Sequence, residues 1–160
     1  EGHFCPASSI APIKCGSVAL YCPAESPIVN AATSGYYTTP TSATDKERVG
    51  QLPCEAGFAC VGGVKSECIE GSTYQTDPSR SSCLSCSTCL AGTYETSACT
   101  STTNTACEPC LAGSASMGGA SAVCTPCTGD GQYSETDSAT ACKTAKAGYK
   151  PTSDRKVRIC

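Results

Sequence analysis

Apolar side chains along this 160-residue chain follow no helical or long-strand rhythm. Nowhere do they return every three or four residues, as one face of a helix requires. What returns is a punctuated unit: a cysteine, a glycine soon after, usually an aromatic, and a closing cysteine 14 to 18 residues on. CIEGSTYQTDPSRSSC, CLAGTYETSACTSTTNTAC, CLAGSASMGGASAVC and CTGDGQYSETDSATAC show it in succession. A fifth stretch, AKAGYKPTSDRKVRIC, keeps Gly148, Tyr149 and Cys160 but has Ala145 where the opening cysteine is expected. The N-terminal third uses another version, GHFCPASSIAPIKC, ALYCPAESPIVNAATSGYYT and LPCEAGFACVGGVKSEC, in which an aromatic precedes a cysteine and prolines follow.

Glycine supplies positive-φ turn positions and proline removes ladder donors, so this pattern allows only very short strands. It predicts a small disulfide-rich fold: an elongated rod of tandem cysteine-rich modules with short β-hairpins and turns, and little or no helix. Modules that touch only their neighbours make such a protein quasi-one-dimensional. The expected divisions are Cys-Pro-type modules over 1–67, one larger module over 68–107, two short ones over 108–142 and a basic, degenerate module over 143–160. Residues 30–53 hold Tyr36, Tyr37 and the charged run Asp45-Lys46-Glu47-Arg48 without a cysteine, and are expected to form a larger exposed loop. Tyr74, Tyr94, Tyr133 and Tyr149 are expected to fill their modules against the disulfides rather than to face a ligand.

Composition explains why cysteine dominates. Leu, Ile, Val and Phe together number 19 of 160 residues, with no Trp, too few to fill one compact core. The 16 cysteines are the substitute. A disulfide closing a loop of about 15 residues is worth roughly 3 kcal/mol in the chain-entropy view. Such a load persists as disulfides outside the cytosol, so the expected location is extracellular or at the cell surface. No run approaches 18 apolar residues, and no membrane-spanning helix is expected in this chain. Glu1 reads as a processed terminus or a cut within a longer protein. Ser and Thr make up 41 residues and there is no Asn-x-Ser/Thr sequon, so any glycan would be O-linked.

The net charge of −3 conceals an asymmetry. Residues 143–160 carry Lys143, Lys146, Lys150, Arg155, Lys156 and Arg158 against Asp154, or +5, and the rest of the chain carries −8. The plain reading is a solvated basic tail. The sharper one is a contact, through Lys150, Arg155, Lys156 and Arg158, with the acidic body of the next molecule.

Within 68–107, Cys68, Tyr74, Cys83, Cys86, Cys89, Cys99, Asn104 and Cys107 fall at the spacings of a cysteine-rich repeat of the tumour-necrosis-factor-receptor type, which this stretch resembles. The flanking units are similar to ephrin-receptor-like and EGF-like repeats. The resemblance implies the pairs Cys68–Cys83, Cys86–Cys99 and Cys89–Cys107. By the same logic Cys110–Cys124 and Cys127–Cys142 close the next units, and Cys5–Cys15 and Cys22–Cys54 the first two. Cys60 and Cys160 are then left over. The alternative joins Cys60 to Cys68 and leaves Cys83 and Cys160, and connectivity stays open at this level.

Other chemistry finds little footing. Cys107, Cys110, Cys124 and Cys127 have nearly zinc-ribbon spacing, but the same CxxC recurs at 83/86 and 86/89 as a joint between units. A redox CxxC needs a strand and a helix around it, and Thr, Ser, Pro and Gly supply no helix. His3 is the single histidine and reads as an aromatic stand-in. Asp130, Glu135 and Asp137 lack the ligand pattern of a calcium loop. An acidic, secreted chain is a poor partner for nucleic acid. No catalytic residue, metal or cofactor is expected.

The sequence thus predicts a non-catalytic extracellular structural protein, a subunit of a fibre, coat or glycoprotein stalk that assembles head to tail. The alternative is a receptor ectodomain that binds a protein ligand through its repeats. Under the first reading Cys160 forms an intermolecular disulfide or finds a partner just beyond the chain end. Non-reducing electrophoresis is then expected to show covalent oligomers; only monomer, with every thiol paired internally, removes that reading.

Overall fold

A computed structural model describes residues 2–7, 9–44 and 46–155, with the backbone of 158–159. Among these residues there is no helix, and 18 short strands pair into nine antiparallel two-stranded hairpins. In chain order they are β1 (His3–Phe4) with β2 (Ile13–Lys14), β3 (Leu20–Tyr21) with β4 (Asn30–Ala31), and β5 (Tyr36–Thr39) with β6 (Gly50–Pro53). Next come β7 (Phe58–Val61) with β8 (Val64–Glu67), β9 (Thr73–Tyr74) with β10 (Leu84–Ser85), and β11 (Thr93–Ser97) with β12 (Ala106–Pro109). The last are β13 (Ser114–Ala115) with β14 (Thr125–Pro126), β15 (Gln132–Tyr133) with β16 (Lys143–Thr144), and β17 (Lys150–Pro151) with β18 (Arg158–Ile159). Two-residue strands are what glycine and proline at this density leave room for.

Isolated hairpins of this size are marginal in water, so something must join them. The joint is backbone hydrogen bonding through the module glycines. Gly35, Gly57, Gly92 and Gly113 donate their N–H groups to the carbonyls of Cys60, Gln75, Ser116 and Ser134, at 2.8–3.0 Å. Their own carbonyls accept from the N–H groups of the following cysteines, Cys54, Cys68, Cys110 and Cys127, at 2.8–2.9 Å. The ladder continues. Cys60, Gln75, Ser116 and Ser134 donate in turn to the carbonyls of Arg80, Ser101, Ala139 and Arg155, at 2.8–3.0 Å. Gly2 and Cys22 repeat the scheme at the N-terminal side, Gly2 donating to Cys22 and Cys22 to Arg48.

The residues at the centre of this ladder are small or polar and fully enclosed. Cys22, Cys54, Cys60, Cys110 and Cys127 are buried, with Gln75, Ser116 and Ser134 beside them. A buried polar side chain is costly unless bonded. Here each finds local backbone. The Gln75 side chain donates to the Ser82 carbonyl and accepts from the Asp77 N–H, the Ser116 hydroxyl accepts from the Gly118 N–H, and the Ser134 hydroxyl donates to the Thr136 carbonyl. Large apolar residues stay outside, including Ile69, Leu90, Leu111 and Met117. The core is sulfur and hydrogen-bonded backbone.

Residues 30–53 do not form the exposed loop that their lack of cysteine suggested. Tyr36 to Thr39 pair with Gly50 to Pro53 in register, Thr38 is buried and Arg48 is only 6% exposed. Thr38 donates its hydroxyl to the Val18 carbonyl at 2.6 Å, and the Arg48 guanidinium donates to the Pro40 carbonyl. The run Tyr-Tyr-Thr-Thr has strong strand propensity, and that local preference prevails over the charges downstream.

The described chain divides into two compact units, Glu1–Ser85 with Thr100–Thr103, and Cys86–Cys99 with Asn104–Cys160. Both are built by the same ladder.

The ladder makes a specific demand at Gly92, where φ is +86° and a Cβ would lie 2.2 Å from the Ser138 carbonyl oxygen. Gly92→Ala is expected to destabilise the oxidised protein by about 2–3 kcal/mol or more, since left-handed strain alone costs of order 1–3 kcal/mol. Gly71→Ala meets open space at φ +74° and should cost only the strain. Denaturant unfolding of the two variants with disulfides intact checks the difference; equal losses contradict the account.

Candidate functional site

Seven disulfides staple the described residues: Cys15–Cys22, Cys54–Cys60, Cys68–Cys83, Cys86–Cys99, Cys89–Cys107, Cys110–Cys124 and Cys127–Cys142. From Cys68 onward these are the pairs the receptor-type resemblance implies. The CxxC cysteines with ribbon-like spacing are all consumed: Cys107 by Cys89, Cys110 by Cys124, and Cys127 by Cys142.

The first two pairs differ from expectation. Neither Cys5–Cys15 nor Cys22–Cys54 forms, and Cys60 is not left over. The reason lies in the ladder. The N–H groups of Cys15 and Cys22 donate to the carbonyls of Lys46 and Arg48, two residues apart on one stretch, which sets the two cysteines 6.0 Å apart at Cα. Likewise the Cys54 carbonyl accepts from Ser79 and the Cys60 N–H donates to Arg80, bringing that pair to 5.9 Å. Cys60 joining Cys68 is excluded by the same contacts. Cys5 follows β1 as Cys22 follows β3, and its thiol is free and exposed. Cys160 lies outside the described residues, as does Lys156; of Arg158 only the backbone, in β18, is described.

The stretch 68–107 shows how such a frame presents side chains. Tyr74 of β9 stands opposite Leu84 of β10, closed by Cys68–Cys83. After Ser85, Asn104 pins the next cysteines: its side-chain oxygen accepts from the Ser87 and Thr105 N–H groups, and its amide donates to the Ser87 hydroxyl. Tyr94 of β11 donates its phenol to Glu108 of β12 at 3.3 Å. Each Cys-x-x-Gly turn then turns its first residue outward, so Ile69 and Leu90 are 68% and 78% exposed. Gly118 packs against the Leu90 carbonyl carbon and Gly119 bridges Cys89, and Met117 just before them is exposed.

A charged and aromatic cluster that the sequence reading missed sits on the β7–β8 hairpin. Lys65 lies over the Phe58 ring at 4.0 Å and the Tyr37 ring at 5.1 Å, and pairs with Glu55 at 2.5 Å. Its signal was present as Val-Gly-Gly-Val, residues 61–64, a two-residue hairpin turn that fixes Cys60 opposite Lys65. The contact is a cation–π interaction strengthened by an adjacent carboxylate. It orders a patch on the surface, with the Lys65 ammonium engaged by Glu55 and the two rings.

Of the acidic residues 130, 135 and 137, Glu135 pairs with Lys143 at 3.3 Å and Asp137 accepts from the Ala112 N–H at 2.8 Å. They serve different partners rather than one ion. Among the basic residues singled out by sequence, Lys150 is exposed, while Arg155 donates to the carbonyls of Gly129 and Gln132.

Compared with known protein families, residues 68–107 match the TNFR/NGFR cysteine-rich region. No curated protein matches the chain. The matched stretch holds the complete Cys68–Cys83, Cys86–Cys99 and Cys89–Cys107 frame. Cysteine-rich regions of this type are non-enzymatic modules, and with so many disulfides they are typical of extracellular or cell-surface proteins.

The Glu55 carboxyl is held below the usual carboxylate range, chiefly by the hydrogen bond from Lys65. Because the folded value is the lower one, the pair stabilises the hairpin above the unfolded value and is lost as pH falls through the folded one. An NMR titration of the Phe58 ring is expected to show a transition with its midpoint below that of glutamate in a short peptide. A midpoint at or above the peptide value contradicts the pairing.

Proposed function

We propose that this chain is a non-catalytic extracellular recognition segment that binds a protein ligand through side chains displayed on its cysteine-rich modules. The observation that carries the reading is the match of residues 68–107 to a receptor-type cysteine-rich region, with its six-cysteine frame complete. The frame encloses sulfur and backbone, and leaves Ile69, Leu84 and Leu90 to the outside. Apolar side chains held outward on a rigid scaffold are the raw material of interface anchors. The surrounding charge is acidic over residues 1–142, so a ligand face that presents cations is favoured in encounter.

The head-to-tail fibre draws less support. Its contact was assigned to Lys150, Arg155, Lys156 and Arg158, and the Arg155 guanidinium is turned onto the Gly129 and Gln132 carbonyls of its own unit, while Lys156 and the Arg158 side chain lie outside the described residues. Among the described residues no helix is long and apolar enough to cross a membrane.

Probing an array of purified secreted and cell-surface proteins with the oxidised chain is expected to return a saturable ligand. Leu90→Glu should raise its Kd by at least about tenfold, a loss of about 1.4 kcal/mol, and reduction should abolish binding. An array without a ligand, or a ligand indifferent to Leu90→Glu, Ile69→Glu and reduction alike, would overturn the reading.

A further inference from the structure

The last module departs from the others in three ways that converge on one surface. The Ala145 N–H donates to the Gly131 carbonyl at 2.8 Å, the same bond that Cys127 makes to Gly113, so Ala145 stands at the position of an opening cysteine. In the preceding modules that position is filled by the buried sulfurs of Cys110 and Cys127. A methyl group fills far less. The space beside it opens as a groove of about 640 Å³, lined along one side by the stretch from Ala145 to Ser153.

The second departure is the aromatic. Tyr133, two residues after Gly131, is buried, whereas Tyr149, immediately after Gly148, is 43% exposed and lines the groove. This corrects the expectation that all four module tyrosines serve as filling. The third is charge. Lys146, Lys150 and Arg155 line the same groove, with Asp130 the one carboxylate among its lining residues. Bonds to Gly129 and Gln132 fix the Arg155 guanidinium on the wall, and the Thr152 hydroxyl donates to Asp154 nearby. Lys146 and Lys150 are exposed.

From this geometry we infer that the groove over residues 145–155 binds a sulfated polysaccharide. Three cations converge where the chain is locally basic, so the ligand is an anion with repeated charges. An exposed tyrosine ring offers an apolar face on which the C–H face of a sugar ring stacks, a contact that a run of acidic side chains alone would not make. Thr152 and Ser153 add hydroxyls suited to sugar hydroxyls. The disulfide load places the chain in the compartments where sulfated glycans, rather than nucleic acids, are the polyanions at hand. The −8 carried by residues 1–142 repels such a ligand elsewhere and confines it to this module.

Calorimetric titration of the oxidised full chain with a heparin-derived octasaccharide tests the proposal. Binding is expected at low ionic strength, weakening with salt at a log–log slope of roughly −2 for three cations. Lys146→Gln with Lys150→Gln should weaken it by at least about tenfold and flatten the slope. Tyr149→Ala should weaken it about tenfold at an unchanged slope, and Tyr149→Phe should retain it. None of these substitutions removes a cysteine or a backbone group of the ladder. Absence of binding, indifference to both the lysine pair and Tyr149→Ala, or equal affinity for poly-glutamate would overturn the proposal, the last in favour of an acidic polypeptide.

Discussion

The structure rests on backbone hydrogen bonds that Gly35, Gly57, Gly92 and Gly113 make in both directions, the N–H given to the next hairpin and the carbonyl to the next cysteine. Hairpins of two residues cannot bury enough apolar area to stand alone. Coupling them through peptide groups requires the backbones to approach within a distance that a Cβ would occupy, which is why glycine sits at the joint. Once the joint forms, the cysteines beside it are brought within reach of each other. The disulfides then fix what the hydrogen bonds have arranged, at about 2 kcal/mol for loops of six or seven residues and about 3 for the longer ones.

This division of labour frees the large side chains. Where a globular domain must spend its leucines and isoleucines on a core, this chain leaves Ile69, Leu90, Leu111 and Met117 in solvent. The proposed protein-binding role and the groove of the last module use the same freedom differently. One displays apolar groups on a complete disulfide frame; the other lies in the unit that has Ala145 for its opening cysteine, where an aromatic and three cations line a groove. Lys65 over Phe58 and Tyr37 is a third expression, a surface cluster ordered by charge and ring rather than by enclosure.

The sequence disclosed most where one rule decides the outcome. From Cys68 to Cys142, each unit opens with a cysteine ahead of its glycine, and resemblance and structure give the same pairs. The N-terminal pairs were illegible because their partners are chosen by residues 46, 48, 79 and 80, none of them cysteine. The spacing of six or seven shared by Cys15–Cys22 and Cys54–Cys60 became meaningful only with those contacts in view. The hairpin over residues 36–53 was legible in its β-branched and aromatic run, but the charged stretch beside it masked the signal. Tyr149 differs from Tyr133 by one residue of register, standing immediately after its glycine rather than two residues on, and grouping the units by their glycine and aromatic hid that shift.

Every described disulfide joins cysteines no more than 18 residues apart. A chain entering an oxidising compartment from its N-terminus therefore presents the second cysteine of each pair within about four seconds of the first, at synthesis rates of about 5–20 residues per second. Among the fourteen paired cysteines, none waits for a partner more than 18 residues away, and Cys5 alone of the described ones stays a thiol. The locality of the bridges thus lets oxidation follow close behind synthesis, with Cys15–Cys22 and Cys54–Cys60 held in place only once residues 46–48 and 79–80 have arrived.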